Sequence, residues 1–238
     1  MTEAFGLSDP GSVRTNNEDC YRIAADLGLY VLADGMGGAK AGEKASELAV
    51  ETVIGAFREA GQRDSQVLLM AVEAANNKVR ESAKMDPALE GMGTTLVAAL
   101  DMGEELLIAS VGDSRAYLLD GDSFRGITED QSWVNEVGRP LGIDEASLRT
   151  HPLRHVLTMA IGASTKLVVN FYSAIPWKPD SIALLSSDGL HGVVGREKLE
   201  ETLRSPGSLE AKCRRFIELA HAAGAPDNVT AVLLRRTS

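Results

Sequence analysis

Four acidic residues stand where apolar runs stop. Tyr30 to Gly42 reads YVLADGMGGAKAG, an apolar run that ends in Asp34 and opens into a glycine-dense turn. Ile182 to Gly189, IALLSSDG, delivers Asp188 in the same way; Ile108 to Asp113, IASVGD, ends on Asp113; and Asp227-Asn228 stands directly before the apolar run VTAVLL. A single Asp-Gly pair is an ordinary turn dipeptide. Four strand-end carboxylates, far apart in sequence, point instead to one convergent acidic cluster. Packed within a few ångströms of each other, such groups raise each other's pKa and destabilise the fold unless cations neutralise them. Hard divalent ions with oxygen ligands, Mg²⁺ or Mn²⁺, match that requirement. Arg14, in the polar turn SDPGSVRTNNED with Glu18 and Asp19, is by itself a solvated turn charge or half of a salt bridge. Beside an acidic metal site the same guanidinium is suited to gripping two oxygens of a phosphate.

The elements that must position these groups follow from periodicity. Thr2 to Leu7 and Cys20 to Ala25 read as two short strands joined by the polar turn, and Val31, Leu32 and Ala33 have the composition of a buried strand. Gly35, Gly37 and Gly38 let the chain turn sharply after it. Ala45, Leu48, Ala49, Thr52, Val53, Ala56 and Phe57 recur at helical spacing, and Val67, Met70, Ala71, Ala74, Ala75 and Val79 predict a second helix, closed by Asp86-Pro87. Gly91 to Thr95 opens a β region running through TLVAAL, ELLIASVG and RAYLLD. From Asp130 to Arg154 the pattern becomes irregular, with short helical pieces at Trp133 to Val137 and Asp144 to Arg149; this segment reads as a flap or a packed surface insertion. Strands are predicted at Leu167 to Ala174, Ser181 to Ser186 and Val229 to Leu234, and helices at Glu197 to Arg204 and Ser208 to Ala223.

Composition narrows the classes. A chain of 238 residues with 44% hydrophobic content can bury a substantial core, and no Pro- or Ser-rich linker, charge block or internal repeat divides it. The formal charge of −10 argues against a nucleic-acid footprint. Apolar runs far shorter than the roughly 20 residues of a membrane span, and an N-terminus without signal-peptide character, predict a cytoplasmic protein that neither crosses nor binds a membrane. Two cysteines, Cys20 and Cys213, fit a reducing compartment, and Cys213 shares a helical face with Leu209, Phe216, Ile217 and Ala220 as a small apolar group.

Six segments in register carry a resemblance: R-T-N-N-E-D at Arg14 to Asp19, A-D-G-M-G-G at Ala33 to Gly38, G-T-T at Gly93 to Thr95, V-G-D-S-R at Val111 to Arg115, S-D-G-L at Ser187 to Leu190 and D-N-V-T at Asp227 to Thr230. Together they make the chain similar to the metal-dependent protein phosphatases of type 2C in their compact bacterial form. The resemblance implies an α+β fold, a four-layer α-β-β-α sandwich of two antiparallel sheets flanked by helix pairs, as one domain over 1–238 with a flap at about 131–154. It implies that Asp34 bridges two metals, Mn²⁺ or Mg²⁺, that Asp188 and Asp227 complete the first, and that the carbonyl of Gly35 binds the second with Glu18 or Asp19 reaching it through water. Asp113 matches a position that, with Asp188, holds a third and weaker ion, and Arg14 would hold the substrate phosphate. The implied reaction is hydrolysis of phosphoserine and phosphothreonine in proteins by a water between the metals, opposing a bacterial Ser/Thr kinase, in a monomer.

The leaving alkoxide still needs a proton. Relatives carry histidine directly after the D-G pair, four residues further into the glycine turn, or after the flap's leading aspartate, whereas this chain has Met36, Ala39 and Gln131 there. His191, three residues past Asp188, is the speculative donor; His151 and His155 read as structural, and His221 as a helix-end group. Rival phosphate chemistries fail on particulars. Glu43 stands where a P-loop needs lysine, neither cysteine begins a Cys-x5-Arg loop, and the four histidines do not follow the acids as calcineurin-like metallophosphatases require. Two alternatives stay open at this level: a non-catalytic metal-binding module that recognises phosphoprotein, and a SpoIIE-like phosphatase of an anti-sigma-factor antagonist.

Overall fold

A computed structural model describes residues 1–37, 41–163 and 165–237. Among the described residues eleven strands form two antiparallel sheets. The first has the order β1 (Thr2–Asp9), β11 (Val229–Arg236), β10 (Ile182–Ser186), β7 (Arg115–Asp120), β8 (Ser123–Gly126); the second has β2 (Asp19–Ala24), β3 (Leu29–Met36), β5 (Leu96–Asp101), β6 (Glu105–Val111), β9 (Asn170–Pro176), with β4 (Gly93–Thr94) added beside the end of β3. Helices α1 (Ala41–Ala60) and α2 (Ser65–Met85) cover the second sheet. Helices α5 (Arg196–Arg204) and α6 (Leu209–Ala222) cover the first. The short helices α3 (Glu145–Thr150) and α4 (Asp188–His191) lie in the flap and directly after β10.

The alternation of strand side chains builds three apolar layers. Leu29, Val31 and Ala33 of β3 face α1 and α2, meeting Ala45, Ala49, Val53 and Phe57. Tyr30 and Leu32, one residue out of phase, face the other sheet and meet Leu118, Leu185 and Val232. On the far side, Leu184 and Leu233 meet Leu199, Cys213, Phe216 and Ile217. This is the four-layer sandwich, and it is why β3, β5 and β10 are apolar on both faces.

Several elements differ from the sequence reading. The polar turn joins β1 and β2 as read, but β1 pairs with β11 and β2 with β3, so the turn crosses from one sheet to the other. Helix α1 begins at Ala41 rather than Ala45, because Ala41 and Gly42 are small enough to pack against the glycine turn. Met70 sits at helical spacing yet is 59% exposed, on the outer edge of α2's apolar stripe. Strand β9 starts at Asn170, later than predicted, and its pairing with β6 shifts register between Leu106 and Ile108 of β6. Strand β8 and helix α4 are too short for their periodicity to show. Gly38 and Ala39 lie outside the described residues.

The segment 131–154 is pinned to the body at its leading end. Gln131 is buried; its Oε1 accepts from Gly112 N and its Nε2 donates to Val168 O. Asp130 takes a two-pronged ion pair from Arg115 at 2.8 and 2.6 Å. A turn of π-helix at Val134–Gly138 follows, and the Trp133 ring stacks on His151 with centroids 4.1 Å apart. Among the described residues no helix is long and apolar enough to cross a membrane. Both cysteines are buried free thiols.

Candidate active site

Asp34 is held by its own peptide group. Its N–H donates to Thr95 Oγ1 at 2.9 Å, while its carbonyl accepts from Thr95 N at 2.9 Å and Thr94 Oγ1 at 2.8 Å. Thr95 Oγ1 also bonds Ser114 Oγ at 2.7 Å, which ties the end of β3 to the turn carrying Asp113. Gly35 follows where nothing larger fits: a Cβ there would run into the Gly42 carbonyl and lie 2.7 Å from Glu18 O. The first turn of α1 is thereby pressed against the strand end.

Asp188 is the first residue of α4, and Asp227 ends the loop before β11. Asn228 staples the polar turn to that loop. Its Nδ2 donates to Pro10 O and Asn16 O, and its Oδ1 accepts from Glu18 N at 2.8 Å. The result is one cleft of about 960 Å³ at a common rim of the two sheets, bordered by Arg14, Glu18, Asp34, Gly35, Asp113, Asp188 and Asp227. Arg154, His155 and Leu157 form its flap-side wall.

Not every predicted site residue stands where the sequence reading put it. Asp19, paired with Asp34 across β2 and β3, lies beneath the cleft and opens onto a separate groove with Ser8, Glu43 and Glu47. Its Oδ2 accepts from Ser187 Oγ at 2.7 Å and Thr230 Oγ1 at 2.6 Å, so it ties together the loops that carry Asp188 and Asp227; its Oδ1 is buried without a partner. Arg14 borders the cleft, but its guanidinium sits on Asp227 at 2.7 Å rather than free. His191 is not in the cleft wall: its Nδ1 bonds Ser186 Oγ at 2.9 Å and its ring lies near Tyr117. Burial, with Arg115 close by, holds it well below the ordinary histidine range. A neutral ring turned inward is a poor proton donor.

The electrostatics are those of acids crowded together at the edge of the core. Burial pushes Asp34 well above the usual carboxylate range, and Asp19, Asp188, Asp113 and Asp227 push it further. Burial raises Asp19 to about 7 against the hydrogen bonds from Thr230 and Ser187, and raises Asp113 to about 7 with Asp188 adding to it. Asp188 is raised by burial and by Asp227, while a hydrogen bond with Asp34 opposes the rise. Among the described residues no three acidic or histidine side chains close into a metal cage. The carboxylates border open space instead. That arrangement still fits a hard divalent cation, because the side chains of Asp34, Asp113, Asp188 and Asp227 and the carbonyl of Gly35 offer only oxygens to the cleft, and Mg²⁺-like ions keep several waters and need few protein ligands.

Sequence reasoning missed Asn228 as a staple and the histidine in the cleft wall. His155 belongs to the run HPLRH, in which nothing about spacing tells which ring faces the cleft. Gln131, at a position where relatives carry histidine, is a structural pin.

A doubled antiparallel sheet with an acidic cleft at its rim defines a class found among bacterial serine/threonine phosphatases. The structure matches the crystal structure of the Mycobacterium tuberculosis serine/threonine phosphatase PstP/Ppp with a TM-score of 0.88 and 36% identity, covering 100% of this chain and 99% of that one. It matches the PstP catalytic domain in complex with two manganese ions with a TM-score of 0.85 and 34% identity, covering 100% and 99%. In sequence it is 35% identical to the serine/threonine phosphatase stp of Listeria innocua over 96% of this chain and 94% of that protein. The profile described as protein phosphatase 2C matches residues 12–233. The chain belongs to the protein phosphatase 2C family and is a serine/threonine protein phosphatase of that family.

Proposed function

We propose that this chain hydrolyses phosphoserine and phosphothreonine in proteins with the help of Mn²⁺ or Mg²⁺. The observation that carries the reading is the convergence of Asp34, Asp113, Asp188 and Asp227, from four distant strand ends, on one cleft, where burial and the neighbouring acids hold back the charge of Asp34, Asp113 and Asp188. Asp34, Asp188, Asp227 and the carbonyl of Gly35 would hold two ions, Glu18 would take part through water, and Asp113 with Asp188 would hold a third. Such ions, when bound, lower the pKa of water to supply a nucleophile at neutral pH and offset charge on phosphoryl oxygens.

The remaining work falls to the chain's own groups. Arg14 spends one nitrogen on Asp227, is half exposed, and has further N–H groups to hold the phosphate oxygens and set their orientation. Asp19 positions Ser187 and Thr230 from below instead of touching the substrate. His155, in the flap-side wall, is the ring placed to give a proton to the leaving serine or threonine oxygen.

The reading treats 1–238 as one catalytic domain with its flap at about 131–154, acting as a cytoplasmic monomer against a bacterial Ser/Thr kinase and its substrates. A module that binds phosphoprotein without turnover would have no use for Asp34, Asp113 and Asp188 crowded together with their charge held back. Hydrolysis of a phosphothreonine peptide with Mn²⁺, and its loss on adding chelator, tests the assignment; chelator-insensitive turnover refutes it.

A further inference from the structure

A second concavity, of about 410 Å³, lies at the C-terminal end of α2, lined by Arg80, Lys84, Pro87, Glu90, Gly91 and Gly162. Arg80 and Lys84 are four residues apart, so they lie one above the other on the same helix face. Like charges at that spacing repel by a few tenths of a kcal/mol. On a chain of formal charge −10, acids to neutralise them are plentiful, yet neither cation makes an ion pair or hydrogen bond among the described residues. Most arginines elsewhere are matched: Arg22, Arg58, Arg115, Arg139, Arg204, Arg214, Arg215 and Arg235 all have carboxylate partners. Glu90 is on the wall of the concavity but is not joined to either cation, leaving two positive charges against one negative.

The concavity adjoins the cleft. A Cβ on Gly37, which lines the cleft, would lie 2.9 Å from Met92 Cα and 3.3 Å from the carbonyl oxygen of Gly91, which lines the concavity. Gly162 N donates to Asn76 Oδ1 at 2.8 Å, and a Cβ at Gly162 would lie 3.1 Å from the Met92 carbonyl oxygen. The two depressions therefore border each other at the Gly37 and Met92 contact. An extended peptide advances about 3.3 Å per residue, so a few residues bridge from one to the other.

We propose that Arg80 and Lys84 form an anion subsite that receives a carboxylate or phosphate side chain flanking the phosphoresidue in the cleft. This rests on the phosphatase reading and makes it more specific: the substrates favoured are those whose phosphosite has an acidic or phosphorylated neighbour on one side. The contribution is that of two partly exposed charge pairs, roughly three- to ten-fold in KM with kcat little changed.

The test uses phosphothreonine peptides of equal length carrying Glu, Gln or phosphoserine on one flank, in both directions, with p-nitrophenyl phosphate as a substrate that has no flank. The wild-type protein should show the lower KM for a Glu or phosphoserine flank on one side only. R80Q/K84Q should lose that preference while its turnover of p-nitrophenyl phosphate and of the Gln peptide is unchanged. Raising salt from 50 to 200 mM should erase the difference between Glu and Gln peptides in the unaltered protein, which gives a result even if the double variant folds poorly. Equal KM for all flanks, or a preference that survives in R80Q/K84Q, overturns the subsite. Absence of hydrolysis of p-nitrophenyl phosphate and the Gln peptide alike by the unaltered protein would instead overturn the phosphatase reading; fluorescence anisotropy of the labelled peptides would then decide the subsite by the same flank preference.

Discussion

Replacing Asp34 by Asn keeps the shape of the side chain and every hydrogen bond made by its peptide group, while removing the charge at the centre of the cluster. Mn²⁺-dependent turnover of a phosphothreonine peptide should fall by about 100-fold or more, with apparent metal affinity weakened in the same titration. Retained turnover would show that Asp34 is not a ligand. His155 makes a finer prediction. If its ring protonates the leaving oxygen, His155→Gln should slow hydrolysis of a phosphothreonine peptide by about 10²-fold and hydrolysis of p-nitrophenyl phosphate, whose leaving group needs no proton, far less. Equal losses on both substrates would assign His155 to binding instead. At this scale the acids were legible because an apolar run followed by Asp-Gly, or an Asp-Asn before one, marks where a strand ends and a side chain reaches the rim. The histidine was not, since which ring of the flap turns inward depends on tertiary packing: His151 stacks on Trp133, and His155 borders the cleft.

Among the elements, the junction of β3 with α1 has the least freedom. Gly35→Ala would set a methyl group against backbone carbonyls of Gly42 and Glu18, none of which can rotate away. We expect a loss of stability of about 3 kcal/mol or more, read as a fall in Tm, together with loss of metal-dependent activity. A variant with unchanged Tm would show that the first turn of α1 yields. The sequence foretold a glycine turn but not what pressed on it. The same limit accounts for β1 and β2: their composition identifies strands, but a polar turn between two strands cannot say whether they pair or divide between sheets. The partners that decide this are β11, which begins only at Val229, and β3, which follows β2 directly.

For the whole molecule, the cluster sets the pH dependence of stability. Asp113 rises from the usual carboxylate range to about 7 on folding. A carboxyl raised in this way favours the folded state below its unfolded pKa of about 4, and that contribution is lost as pH climbs through 7, amounting to about 4 kcal/mol at most. The metal-free protein should therefore lose stability relative to Asp113→Asn between about pH 4 and 7, and Mn²⁺ should narrow that difference. Denaturant unfolding of both proteins across this range, with and without Mn²⁺, measures it; a gap that does not vary with pH would mean Asp113 is ionised throughout. The two-sheet architecture could be read from strand periodicity and motif order, because alternation records which faces are covered. The protonation of the acids could not, since it depends on how deeply the rim is buried; the formal charge of −10 counts every one of them as ionised.

Strand β1 runs beside β11 in full antiparallel register, from Thr2 opposite Arg236 to Asp9 opposite Val229, and Thr237 N donates to Met1 O at 2.8 Å. The catalytic loops leave this ribbon at its Asp9 and Val229 end, while the first and last described residues meet at the other, about 25 Å away along eight paired positions. A circularly permuted gene that joins those neighbours through a brief glycine-serine tether, and reopens the chain at an outlying turn such as Met102-Gly103, should yield a protein with unaltered turnover. Surface immobilisation through a residue of that far end, such as Glu3, should likewise leave the mouth of the enzyme facing the solution.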